Sequence, residues 1–107
     1  MRIMNRNSVI YLISENSIQD DIGQWTTIQT ARKVFGYVSS ISQKEWFEGG
    51  RNGLNPSYQV KVFVGDYNGE QKVKIDDVIY TVYRTYIKDD EIELYLELRK
   101  GNENVSS

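Results

Sequence analysis

The chain has neither cysteine nor histidine among its 107 residues. The first absence excludes disulfides, thiol catalysis and cysteine-based zinc sites. The second removes the usual general base and the commonest metal ligand. No apolar run approaches the roughly 20 residues that a membrane helix needs. The opening MRIMNRNSVIYLIS has arginines but only a brief apolar segment and no small-residue cleavage site, so a signal peptide is not expected. Charge of one sign is missing too. The net charge is −2 with acids and bases interleaved, which gives no basic field for nucleic acid and no polybasic membrane anchor. A soluble protein folding in a cytoplasm is the expectation.

What is present suits a single domain. A chain of this length can bury roughly two-thirds of its unfolded surface, though at 39% hydrophobic residues the core should be thin. Aromatics make up 12%, and eight of them are tyrosines, which suits half-buried sheet faces where a ring packs and the hydroxyl stays wet. Residues 1–100 are read as one β-domain and residues 101–107, GNENVSS, as a disordered tail.

Short alternating runs dominate. Residues 8–14 (SVIYLIS) read as a strand, residues 15–24 as a turn or long hairpin tip, and residues 25–40 as a long strand. The alternation slips around Ala31 to Lys33, which predicts a bulge or bend there. Residues 58–65 form a strand with Tyr58, Val60, Val62 and Val64 on one face. A turn centred on Asn68-Gly69 leads to residues 72–75, with Val73 and Ile75 inward. Asp76-Asp77 is a two-residue hairpin turn, residues 78–87 a strand, and residues 91–99 the cleanest alternation, with Ile92, Leu94, Leu96 and Leu98 inward. Glu91, Glu93 and Glu97 then form a solvated face, or an acidic wall that repels phosphates. Six strands on short turns predict a small, mainly all-β antiparallel barrel or sandwich.

One segment departs from this pattern. Ser42-Gln-Lys-Glu45 is a capping box that opens a short helix: the serine accepts from the backbone three residues on, and Glu45 reaches back. Gly49-Gly50 should stop it, and Asn52-Gly53 and Asn55-Pro56 add further breakers. Residues 42–57 are therefore read as a long loop carrying a short helix, of a length uncommon unless functional or disordered. Trp46 and Phe47 are too apolar for an idle loop; they pack into the core, hold the loop on the barrel, or dock on a neighbour.

No catalytic constellation emerges. Asp76/Asp77, Asp89/Asp90 and Asp20-Asp21 sit where turns favour aspartate, and calcium would need more oxygen ligands at loop spacing. Gly49-Gly50-Arg51-Asn52-Gly53 lacks the Gly-Lys-Ser/Thr ending of a phosphate loop and closes a helix where such a loop opens one. Tyr80 and Tyr86, placed on one strand face with Arg84 and flanked by Tyr83 and Lys88, offer a stacking platform for single-stranded nucleic acid. No metal, cofactor or enzymatic activity is expected.

The chain resembles the head–tail joining proteins, also called head-closure or stopper proteins, of long-tailed phages. The likeness runs over nearly the whole length. It rests on the early strand, Asp21-Ile-Gly-Gln-Trp25, Val38-Ser-Ser-Ile-Ser, and Glu45-Trp-Phe-Glu-Gly-Gly-Arg-Asn-Gly-Leu-Asn-Pro-Ser-Tyr58. It continues through Asp66-Tyr-Asn-Gly-Glu70, Ile79-Tyr-Thr-Val-Tyr-Arg-Thr-Tyr86 and Asp89-Asp-Glu-Ile-Glu-Leu-Tyr95. The wording is closest to versions from phages and prophages of Gram-positive bacteria. Similar members often carry Asn-Gly or Asp-Gly where this chain has Asp76-Asp77, which opens the question of turn type.

The resemblance implies a β-barrel, monomeric when free, that joins a ring below the portal and adaptor proteins after DNA packaging. A tail-completion or tail-terminator protein would dock beneath it. Such a protein resides in the virion after assembly in the bacterial cytoplasm, touches packaged DNA without reading its sequence, and meets no membrane. The loop after the second strand closes the channel in such proteins. Here that is residues 42–57, with Ser42, Glu45, Trp46, Phe47, Gly49, Gly50, Arg51, Asn52, Gly53, Asn55 and Pro56 as its interacting positions. The alternatives are a tail-completion protein on the tail side of the joint and a single-stranded nucleic-acid-binding barrel.

Overall fold

The computed structural model describes residues 5–98, so Arg99 and the expected tail at 101–107 lie outside the described residues. Six strands, β1 (Asn5–Gln19), β2 (Trp25–Ser40), β3 (Pro56–Phe63), β4 (Lys72–Ile75), β5 (Val78–Lys88) and β6 (Glu91–Glu97), close into an antiparallel barrel in the order β1-β2-β3-β6-β5-β4. One helix, α1 (Gln43–Arg51), joins β2 to β3, and a 3₁₀ turn at Val64–Asp66 follows β3. Of the antiparallel barrel and sandwich that the alternation allows, the fold is the closed barrel.

The core is built by the inward positions of every strand. Ile10, Leu12, Val38, Val60, Val73, Leu94 and Leu96 are fully buried. Each such side chain contributes about 1.5–3 kcal/mol relative to exposure, which is why short strands suffice once the sheet closes on itself. Val73 and Ile75 point inward from β4, and Ile92, Leu94 and Leu96 from β6, as the alternation predicts. Asp76 and Asp77 take φ of 50° and 68°, so both turn residues are left-handed. This is the conformation of a mirror-image two-residue turn, and the hairpin keeps it without glycine.

Several local expectations are corrected. The bulge expected around Ala31 to Lys33 is absent: β1 and β2 pair in one unbroken register from Asn5↔Ser39 to Gln19↔Trp25. The slip in polarity has another cause. Val34, Gly36 and Val38 face the barrel, whereas Arg32, next on that face, sits at the rim and bonds Glu70 and the Asp66 carbonyl, both at 2.6 Å. A polar inward residue marks where the strand leaves the core.

The bulges lie elsewhere. The β3–β6 register shifts between Pro56 and Tyr58, and the β5–β6 register between Val82 and Arg84, leaving Tyr83 as the extra residue. Strand β1 runs to Gln19, well past residue 14, and β3 starts at Pro56, two residues before Tyr58. Proline is tolerated as a first strand residue because its missing N–H is not needed there.

Helix α1 does not stop at Gly49-Gly50. It continues to Arg51, caps on Asn52, and reverses at Gly53, whose φ is 80°. The Leu54 amide donates to Gly49 O at 2.9 Å and the Gly53 amide to Gly50 O at 3.1 Å, the paired bonds of a Schellman ending. Gly49 serves a different purpose: a Cβ there would lie 2.5 Å from Pro56 Cγ, so the bare backbone lets β3 begin directly against the helix.

Candidate interaction surfaces

Residues 42–57 are docked on the barrel. Ser42 caps the helix as expected, its Oγ accepting from the Glu45 amide at 3.1 Å. The Glu45 carboxylate does not reach back to Ser42. It turns to β5, where it accepts from the Tyr83 hydroxyl at 2.7 Å and forms an ion pair with Arg84. The Arg84 guanidinium lies 4.0 Å over the Tyr95 ring, and Tyr95 donates to Glu93 at 2.6 Å. Burial first, then the bond to Glu93, pushes the Tyr95 phenol up to about 12. Burial and the bond to Glu45 raise Tyr83 as well. The extra residue of the β5 bulge thus supplies the hydroxyl that latches α1.

The far end of the segment is fastened to β6. The Asn55 amide donates to Glu97 Oε1 at 3.3 Å, its Nδ2 to the Leu98 carbonyl at 3.0 Å, and the Leu98 amide to Asn55 O at 3.2 Å. Glu97 is only 3% exposed, which corrects its assignment to a solvated glutamate face; Glu91 alone of the three is open.

Trp46 and Phe47 fall outside the buried core. They stand edge-to-face at 5.2 Å, each about half exposed. With Ile41, Tyr58, Tyr80 and Leu98 they line an open cleft of about 650 Å³ between helix and barrel end. The remaining expected positions divide by exposure: Gly49 and Pro56 are buried, while Gly50, Arg51, Asn52 and Gly53 are open.

The bulge at Tyr83 also breaks the expected stacking platform. Tyr80 lies opposite Val73, only 8% exposed and edge-to-face with Tyr58 at 5.7 Å. Beyond the bulge, Arg84 and Tyr86 lie opposite Tyr95 and Glu93, on the outer face. Tyr80 and Tyr86 therefore point to opposite sides, and Arg84 is already held by Glu45.

The most prominent surface is the hairpin that the sequence allows at residues 15–24; its length and its exposed apolar tip are what sequence reasoning missed. β1 meets β4 only over Tyr11–Ile13 and β2 meets β3 only over Tyr37–Ser40, so residues 14–30 leave the barrel as a two-stranded arm. Its turn is tightly organised. Asp20 Oδ1 accepts from the Ile22 and Gln24 amides at 3.0 and 2.8 Å, the Asp20 amide donates to Gln24 O at 2.9 Å, and Gly23 takes φ of 90°. Held on that turn, Ile22 is 80% and neighbouring Trp25 69% exposed. The available signal was the Asp20-to-Gly23 turn flanked by residues that pair symmetrically about it.

The fold and these surfaces define a class: a small closed barrel that presents a docked helix at one end and an apolar-tipped arm at the other. Comparison with protein-family models, curated proteins and solved structures finds no match to the chain.

Proposed function

We propose that this chain is a structural subunit of the phage head–tail joint, forming with its copies a ring below the portal and adaptor that closes the DNA channel and receives the tail. The likeness along the sequence supports this reading, and so does the six-stranded barrel. The observation that carries it is the arm: a preorganised turn holds Ile22 and Trp25 out in solvent, a costly arrangement unless another protein covers them.

The geometry changes which segment is ready to enter a channel. For residues 42–57 to do so, α1 would have to leave the barrel, breaking the Glu45 latch and the Asn55 bonds to β6. The arm already projects. Purified protein mixed with portal–adaptor connectors should add one ring by negative-stain microscopy, while its mass alone in solution stays that of a monomer. No added ring moves the protein to the tail side of the joint. Heads carrying a shortened arm or a shortened 42–57 segment then separate the two candidate plugs: the one that closes the channel loses DNA when cut back.

A further inference from the structure

We infer that the arm tip of one subunit docks in the helix cleft of the next copy, a head-to-tail contact that deepens the ring reading above and rests on it. The two surfaces lie at opposite ends of β2: Trp25 opens the strand and Ser40, its last residue, lines the cleft. Sixteen extended residues span about 50 Å, and the molecule is 51 Å long, so no chain can fill its own cleft with its own tip. A ring requires two different surfaces that meet repeatedly. Tip and cleft are such a pair.

Shape and charge agree. A cleft of about 650 Å³ is lined mainly by Trp46, Phe47, Tyr58, Tyr80 and Leu98, room for a tryptophan and an isoleucine together. Residues 15–31 carry no lysine or arginine, and with Glu15 paired to Lys72 the acids left at the tip are Asp20 and Asp21. Beside the cleft, Lys44 and Arg51 flank the cleft-lining Phe47 at helical spacing on one exposed face of α1, and neither base is ion-paired among the described residues. Glu45 is already neutralised by Arg84, leaving Glu48 as the one free acid of the helix. The chain's own residues 99–107 continue from the cleft wall at Leu98 but hold a single large apolar side chain, Val105, a poor match to an aromatic cleft.

The test uses two full-length variants. Ile22→Asp with Trp25→Ala removes the tip and keeps the cleft; Lys44→Glu with Phe47→Glu spoils the cleft and keeps the tip. All four positions are exposed, and a dispersed amide spectrum checks folding of each. Labelled tip variant is titrated with unlabelled cleft variant to about 1 mM, the scale of a contact near 4 kcal/mol. The expected result is shifts confined to Ile41, Trp46, Tyr58 and Tyr80 of the labelled chain, a complex of one chain of each kind, and no self-association of either variant alone. No shift at that concentration overturns the contact. So do equal shifts when the unlabelled chain is the tip variant, which indicate a two-fold pairing, or cleft shifts on deleting residues 1–4 that the partner does not reproduce. If complementation succeeds but connectors add no ring, the contact stands and the ring below the adaptor fails, which moves the protein to the tail side of the joint. If the tip variant adds rings like the parent, the contact fails and the reading stands.

Discussion

The barrel and the arm are made of the same two strands and obey opposite rules. From Ser8 to Leu12, β1 alternates against a core, and Ile10 and Leu12 are fully buried; from Ser14 to Gln19 it is mostly polar and nearly all exposed. Its backbone pairing with β2 does not change across the boundary. Hydrogen bonding therefore sets where a strand runs, and burial sets where it is stable, since an isolated two-stranded ribbon is marginal in water.

Four measurements sharpen or break that contrast. The largest effect belongs to the core: Leu94→Ala should lower unfolding free energy by about 2–5 kcal/mol, read as a shift in urea midpoint. A loss under about 1 kcal/mol would mean that the barrel does not carry the stability. Next is the junction of helix and barrel. In Gly49→Ala the new methyl meets the rigid Pro56 ring, a cost of about 1–3 kcal/mol, against which stands a gain of nearly 1 kcal/mol in helix propensity. A net loss of about 1 kcal/mol is expected, and a net gain would show that α1 is not seated on Pro56.

The third measurement concerns the rim where the arm departs. Burial pushes the Glu70 carboxyl up, but the hydrogen bonds from Arg32 and from the Asn68 amide outweigh it and hold the group below its ordinary range. A carboxyl lowered in the folded state stabilises fully above its unfolded pKa, and that contribution fades as pH falls through the lowered value. Stability should therefore decline below about pH 4, and Glu70→Gln should flatten that acid limb. An unchanged limb would put the acid sensitivity elsewhere. The smallest effect is at the tip, where Trp25→Ala should change stability by no more than about 0.5 kcal/mol. Hydrogen exchange should agree, with amides of residues 14–30 opening far more readily than those of β6. A large loss on changing Trp25 would contradict a free arm.

The pattern of hits and misses in the sequence follows the same boundary. β4 is found at its bounds, and the inward residues of β6 are found in place, because each second residue there is read by a closed core. Residues 15–24 read as a turn or a long hairpin tip, and the sequence does not decide between them because nothing on either face of the arm is buried, so alternation has nothing to report. The helix stop was assigned to Gly49-Gly50 on local propensity, whereas Gly49 is needed for contact with Pro56 and the reversal falls at Gly53. The Glu45 latch joins residues 38 apart in sequence to Tyr83. Its partner arises from an extra residue in β5 that no glycine or proline announces. Of the candidate site, the capped helix, its two aromatics and the possibility of a hairpin tip at residues 15–24 are legible; the cleft and the length of the arm are not, since both are products of closure.

The seam between β1 and β4 gives the molecule a mechanical grain. Only three residue pairs, Tyr11↔Lys74 to Ile13↔Lys72, zip the first strand to the fourth, and the arm springs from the residue after them. A pull along the arm loads the three β1–β4 pairs and the four β2–β3 pairs in shear at once, whereas a sideways push on the tip levers about 20 Å of ribbon against the three seam pairs and peels them one at a time. Tension down the axis of the arm is thus borne stiffly, while torque across it is relieved by yielding at the seam.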